Sequence, residues 1–170
     1  MAVLPIVLYG NPVLREKSRP VETVDQSTKD FVADMIATLK DAEGLGLAAN
    51  QVGRASRIFL VDLSPFEPAE DVRVFINPQI VETSGETEYE EGCLSFPDIF
   101  QRITRPEYVT VRAIDINGEE FEVKADGMLA RVILHEYDHI DGKLFIDYFT
   151  PMAREMISGK LKRLKAASAA

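Results

Sequence analysis

The chain has 170 residues, is 46% hydrophobic and 28% charged, and carries a formal net charge of −9. That length and mix describe one globular domain, residues 1–170, with a core of ordinary size. The acidity argues against general nucleic-acid binding, and the lone cysteine, Cys93, excludes an internal disulfide framework.

The opening MAVLPIVLYGNP has neither a basic n-region nor a small-residue cleavage site, and no apolar run nears the ~20 residues of a membrane span. The expectation is a cytoplasmic protein without a membrane partner. Pro5, Pro12 and Pro20 punctuate residues 5–24, which should wrap the surface. Asp25 or Ser27 then caps a helix to about Asp41, with Phe31, Val32, Met35, Ile36 and Leu39 on one stripe and Gly44 as its C′ stop. The following GLGLAANQ has little side-chain bulk, so a backbone or a ligand can come close. It lacks the Lys and the Ser or Thr of a phosphate loop.

Strand-like runs follow at Ile58 to Val61, Val72 to Ile76 and Gln79 to Thr83, the last two separated by Asn77-Pro78. A very acidic stretch, Glu86 to Glu91, leads into Gly92-Cys93-Leu94-Ser95. Tyr108 to Ile116 is β-rich, and Asn117-Gly118 signals a hairpin into Phe121 to Val123. A second helix runs from near Asp126 to about Asp141, stopped by Gly142; from Met128 to Leu134 it is apolar except at Arg131, the mark of a buried, central helix. Thr150-Pro151 caps a third helix with Met156, Ile157, Leu161 and Leu164 as its apolar stripe, and the tail 166–170 should fray.

The central helix ends in His135-Glu136-Tyr137-Asp138-His139. Imidazoles four residues apart share a helix face, offset by roughly 40°, so both can reach one metal ion, with Glu136 beside the first. They are the only two histidines. A catalytic site of this kind usually has three protein ligands and keeps one position for water. Cys93 is the remaining soft candidate for the third, and the abundant carboxylates compete with it. An open site of that sort is hydrolytic: the metal polarises a carbonyl and acidifies water. Glu136 can move the proton, while Gln51 and a backbone N–H beside Cys93 can serve the developing oxyanion.

Three blocks together resemble the peptide deformylases. GLGLAANQ (44–51) is similar to the family's Gly-x-Gly-Leu-Ala-Ala-x-Gln, Glu91-Gly92-Cys93-Leu94-Ser95 to its Glu-Gly-Cys-Leu-Ser, and His135 to His139 to its His-Glu-x-x-His, in the family's order. Asn11 to Arg15 and Gly142-Lys143-Leu144-Phe145 extend the likeness over most of the chain. The resemblance implies an α+β fold, with antiparallel sheets packed around the buried motif helix and helices near both ends. It implies hydrolytic removal of the formyl group from the N-terminal methionine of nascent polypeptides. It also implies one Fe²⁺ on Cys93, His135 and His139, with Zn²⁺ or Ni²⁺ able to replace it in purified protein. Glu136 would be the general base, Gln51 and the N–H of Leu94 the oxyanion donors, and Leu45 and Gly46 the neighbours of the bound peptide. Phe100 stands about where some members carry an Arg, and Arg131 where many carry an aliphatic residue near the methionine pocket.

Two rival readings accompany this one. A small zinc peptidase shares the metal chemistry but usually recruits His or Glu as third ligand. A metal-stabilised interaction domain needs a closed four-ligand site, and this chain lacks a fourth soft ligand. The basic run Lys160, Lys162, Arg163 and Lys165 is either a solvated helix end complementing its own dipole or a contact to the phosphate-rich ribosome, with no specific nucleic-acid sequence read.

Overall fold

The motif helix is central because the sheets are built around it. In the computed structural model, which describes residues 1–168, α2 (Gly127–Ile140) packs on strands β1 (Gly46–Ala48), β2 (Ile58–Val61) and β6 (Tyr108–Ile114). With β3 (Arg73–Ser84) and β7 (Glu120–Ala125) these form a five-stranded antiparallel sheet in the order β1-β2-β3-β6-β7. A separate hairpin pairs β4 (Thr87–Cys93) with β5 (Phe96–Arg105). The arrangement is α+β, as the resemblance implied.

Helix α1 (Gln26–Ala42) starts where the sequence placed it: the Asp25 carboxylate accepts from the Thr28 N–H at 2.9 Å, satisfying one of the helix's orphan donors. Its end differs from expectation. Glu43, at φ 55°, takes the left-handed position expected of Gly44. Gly44 instead lies beside Leu94, whose Cδ1 would be 2.9 Å from an added Cβ. Gly142 does hold a left-handed φ of 74° as the α2 stop, and its open side faces the carbonyl of Arg15.

The two runs flanking Asn77-Pro78 are one strand, β3. The chain absorbs the proline in a bulge between Ile76 and Gln79, with Asn77 at φ 50°. Asn77 then anchors the N-terminal wrap by accepting from Val21 N and donating to Val21 O, both at 2.8 Å. The acidic stretch, to which the sequence assigned no element, forms most of strand β4. The stretch 44–51 is strand β1 followed by a 3-10 turn, Ala49–Val52.

Three apolar clusters make the core. One lies between the five-stranded sheet and α2 around Phe59, Phe75, Val111 and Ile133. One lies between α1 and the sheet's other face around Met35, Leu39, Leu47 and Ile58. The third joins the hairpin to the chain ends around Leu14, Phe96, Phe145 and Leu161. Side chains buried to this degree contribute about 1.5–3 kcal/mol each. The C-terminal helix is two: α3 (Pro151–Met156), capped by the Thr150 hydroxyl, and α4 (Ser158–Ser168), with a break at Ile157. Met156, expected in the apolar stripe, is 81% exposed, whereas Leu161 is buried. Helix α4 extends to Ser168, into the tail 166–170 expected to fray, and residues 169–170 lie outside the described ones.

Candidate metal centre

His135 and His139 leave α2 one turn apart, both buried, at the point where the hairpin crosses the helix. The crossing brings Cys93 to them. One donor atom from each of Cys93, His135 and His139 lies within 4.8 Å of the others, the only such group of three among the described residues. Cys93 Sγ is 3.4 Å from His139 Nε2, close to the separation of about 3.6 Å that two ligands on a tetrahedral ion would have.

Glu91 cannot be the competing carboxylate ligand, because its oxygens are taken. Oε1 receives His135 Nδ1 at 2.8 Å and Arg105 Nη2 at 3.0 Å, while Oε2 receives Arg105 Nε at 2.6 Å and Arg131 Nη1 at 2.7 Å. Four donors fill a carboxylate's acceptor positions. Burial would raise the Glu91 pKa, but the donors from His135 and Arg105 outweigh it and hold the group well below the usual carboxylate range. The contact fixes His135 with Nδ1 toward Glu91 and Nε2 toward the thiol, the orientation a ligating imidazole needs. Arg105 continues the network to Asp138 at 2.8 Å, where the Tyr148 hydroxyl also donates.

The site calls for a cation. Burial lowers the pKa of both imidazoles, but Cys93 and Glu91 raise His135 to about 10. His139 stays well below its ordinary value through burial and the His135 charge. A divalent ion binding these three donors displaces the protons they hold. The donor set, two imidazoles and a sulfur, suits iron, zinc or nickel.

Glu136 is buried, and burial pushes its pKa up to about 7. Its Oε1 is 3.8 Å from His135 Nε2, and its Oε2 is sealed without a protein partner. Gly46 makes room for it, since an added Cβ there would sit 2.8 Å from Glu136 Cγ and 2.7 Å from Val132 Cγ1. Gln51 is held from both ends of its amide. Its Oε1 accepts from Ala48 N at 3.0 Å, which turns Nε2 toward Ser95 Oγ at 3.2 Å and Cys93 Sγ at 3.6 Å. The Leu94 N–H, in the turn between β4 and β5, has no protein acceptor among the described residues.

A cavity of about 650 Å³ opens beside the three donors, and Leu45, Gly46, Leu94, Arg131 and Glu136 are among its lining residues. The space beside Gly92 is filled by the ring of Phe100, 2.6 Å from where a Cβ would stand, and Phe100 itself is 63% exposed at the cavity mouth.

The chain's sequence did not single out Arg105, Asp138 or Tyr148. A signal existed: the acidic run is followed at short range by Arg102 and Arg105, which face Glu90 and Thr87 in the hairpin register and reach Glu88 and Glu91 diagonally.

Comparison with known proteins places this geometry. A family model described as polypeptide deformylase matches residues 3–155. The chain is 44% identical over 165 residues to a peptide deformylase of Acinetobacter baumannii (strain SDF), covering 96% of this chain and 93% of that one. The crystal structure of a peptide deformylase from Legionella pneumophila superposes with a TM-score of 0.90 at 40% identity, covering 99% of this chain and 98% of that one. The Ehrlichia chaffeensis peptide deformylase in complex with actinonin gives 0.89 at 40% identity, with 96% and 98% covered.

Proposed function

The chain belongs to the polypeptide deformylase family, and from that premise we propose how its residues divide the work. The reaction is metal-dependent hydrolysis of the N-formyl group from the N-terminal methionine of nascent polypeptides, with release of formate. Cys93, His135 and His139 would hold one ion, which supplies a Lewis acid and makes water acidic enough to attack at neutral pH.

Glu136 takes the proton from the attacking water and delivers it to the leaving nitrogen. A buried carboxyl whose pKa is pushed to about 7 is matched to both transfers. Gln51 Nε2 and the Leu94 N–H donate to the formyl oxygen as charge builds on it, one fixed by Ala48 and the other by the hairpin turn. Leu45 and Gly46 line the cavity wall along which the peptide lies. The observation that carries this division is the convergence of Cys93, His135 and His139 beside a buried glutamate with one unpartnered oxygen.

Fe²⁺ is the metal proposed here, as the family resemblance implies; the donor set accommodates it as it does zinc or nickel. A thiolate ligand beside redox-active iron has a route to oxidation that zinc does not open. The iron form should therefore lose activity in air while the Zn²⁺ or Ni²⁺ form keeps it. Among the described residues no helix is long and apolar enough to cross a membrane, and we place the reaction in the cytoplasm, where nascent polypeptides are made. There the basic face of α4 is the candidate ribosome contact. Lys160, Lys162, Arg163 and Lys165 are all exposed, although Lys160 also donates to Asp98 O and Lys165 sits 5.7 Å from the Tyr9 ring. Removing residues 160–170 should abolish salt-sensitive ribosome co-sedimentation and leave hydrolysis of a small formyl peptide unchanged. Co-sedimentation equal to that of the full chain would make the run a helix end.

The test of the site is Glu136→Gln. It should keep stoichiometric metal while formate release from a formyl-methionyl peptide falls by about 10²–10⁴. Retained metal with a near-normal rate would mean that another group moves the proton.

A further inference from the structure

Arg131 is the feature that the site as described does not use. It lies one turn before His135 on α2, and it lines the cavity with Met128 and Val132 on the same helix face. Its side chain is only 5% exposed, so it is not a solvated arginine that happens to edge the pocket.

Three hydrogen bonds pin it. Nη1 donates to Glu91 Oε2 at 2.7 Å and to Ile103 O at 2.9 Å, and Nη2 donates to Thr87 O at 2.9 Å. A guanidinium has five N–H donors, so Nε–H and one Nη2 hydrogen remain without a partner among the described residues. Nε, which has no partner, is not sealed in, because the only sealed and unpartnered side-chain polar atoms among the described residues are Glu136 Oε2 and His139 Nδ1. The guanidinium carbon lies 6.0 Å from the centre of the Tyr89 ring, another cavity-lining residue. The cavity thus has a wall of Met128 and Val132 side chains and a cation that cannot swing away.

Such a wall discriminates by what the entering side chain offers at its tip. An apolar tip of the right shape removes solvent from the free Nε–H and returns nothing, which is penalised. A thioether sulfur is a weak acceptor and returns a little; a sulfoxide or amide oxygen returns more. We propose that Arg131 is a specificity-determining residue whose free Nε–H selects a formylated first residue with a side chain ending in a hydrogen-bond acceptor, so that methionine sulfoxide is accepted alongside methionine. This rests on the deformylase reading of the cavity and goes beyond it by naming what the pocket reads.

The experiment compares kcat/KM for three formyl tripeptides that differ only in the first residue: methionine, norleucine and methionine sulfoxide. Norleucine keeps the shape and loses the acceptor. The metal-loaded wild-type protein should prefer methionine to norleucine by about tenfold and cleave the sulfoxide within about tenfold of methionine. Arg131→Met should bring the methionine-to-norleucine ratio close to one and cost the sulfoxide about tenfold more than methionine; Arg131→Lys, which keeps a cation, should retain part of the preference.

Equal wild-type rates on methionine and norleucine would overturn the proposal, and that comparison stands even if neither variant folds. A common factor lost on all three substrates in Arg131→Met would also overturn it, leaving Arg131 as a support for Glu91 and His135. Absence of formate from every substrate would instead bring down the deformylase reading and this proposal with it.

Discussion

Two ion pairs on the β4–β5 hairpin have nearly the same local description and different consequences. Arg102 with Glu88 and Arg105 with Glu91 each span fourteen residues, and each closes through Nε at 2.6 Å. The first pair is 60% and 54% exposed, the second 4% and 4%. Water screens the first, so its worth is that of a surface pair, about 0–1 kcal/mol. The second has lost its hydration and survives only because every acceptor position of Glu91 is filled, by Arg105, Arg131 and His135. Distance alone does not rank these pairs; what surrounds them does. The buried one also orients the imidazole of His135, which ties the fold of the hairpin to the chemistry of α2.

Breaking the buried pair should have the largest effect. Glu91→Gln leaves buried Arg105 with Asp138 alone and buried Arg131 with no carboxylate, and should cost about 3–5 kcal/mol of unfolding free energy. Because His135 loses its anionic partner, metal affinity should also fall about 10–100-fold. Denaturant unfolding of the metal-free protein and competition with a chelator measure the two. A loss under about 1 kcal/mol would mean the buried network is dispensable.

Acid should expose the same pair. Glu91 has a folded pKa far below its unfolded value. The stability it contributes is therefore complete above the unfolded carboxylate value of about 4.3 and is lost as pH falls from there toward the folded pKa. Metal-free wild-type protein should lose more stability than Glu91→Gln between about pH 5 and 2; parallel losses would remove Glu91 as a source of the acid sensitivity.

An intermediate case sharpens the contrast. Tyr148 is 46% exposed, donates to Asp138 at 2.7 Å, and is held neutral by burial and that bond, with its pKa raised to about 12. Tyr148→Phe should cost about 0.5–1.5 kcal/mol, between the buried and the surface pair. Arg102→Ala should change stability least, by under about 1 kcal/mol, and the difference should shrink in high salt. A larger cost, insensitive to salt, would refute the ranking by burial.

The motif helix and the ligand candidates were legible in the sequence because their logic is local. Spacing along α2 places His135 and His139 on one face whatever packs nearby, and Asp25, Thr150 and Gly142 act on backbone groups within a few residues. What was not legible depends on partners far along the chain. Glu86 to Glu91 reads only as an acidic run until β5 supplies Arg102 and Arg105, which pair with Glu88 and Glu91 across the hairpin. Arg131 reads as a flaw in an apolar face, whereas Glu91 and two backbone carbonyls receive it. Pro78 reads as a break in β3, whereas a bulge absorbs it. The even competition between Cys93 and a carboxylate as third donor had the same cause, since only the fold brings Sγ within 3.4 Å of His139 and fills Glu91 with other donors.

The most direct measurement of the central claim is metal content and formate release on one oxygen-free preparation of wild-type and Cys93→Ala protein. Wild type should carry one metal ion per chain and release formate from a formyl-methionyl peptide. Cys93→Ala should lose both, because no other soft donor exists to replace the sulfur. A Cys93→Ala protein that keeps stoichiometric metal and full turnover would contradict the assignment and place a carboxylate in the site.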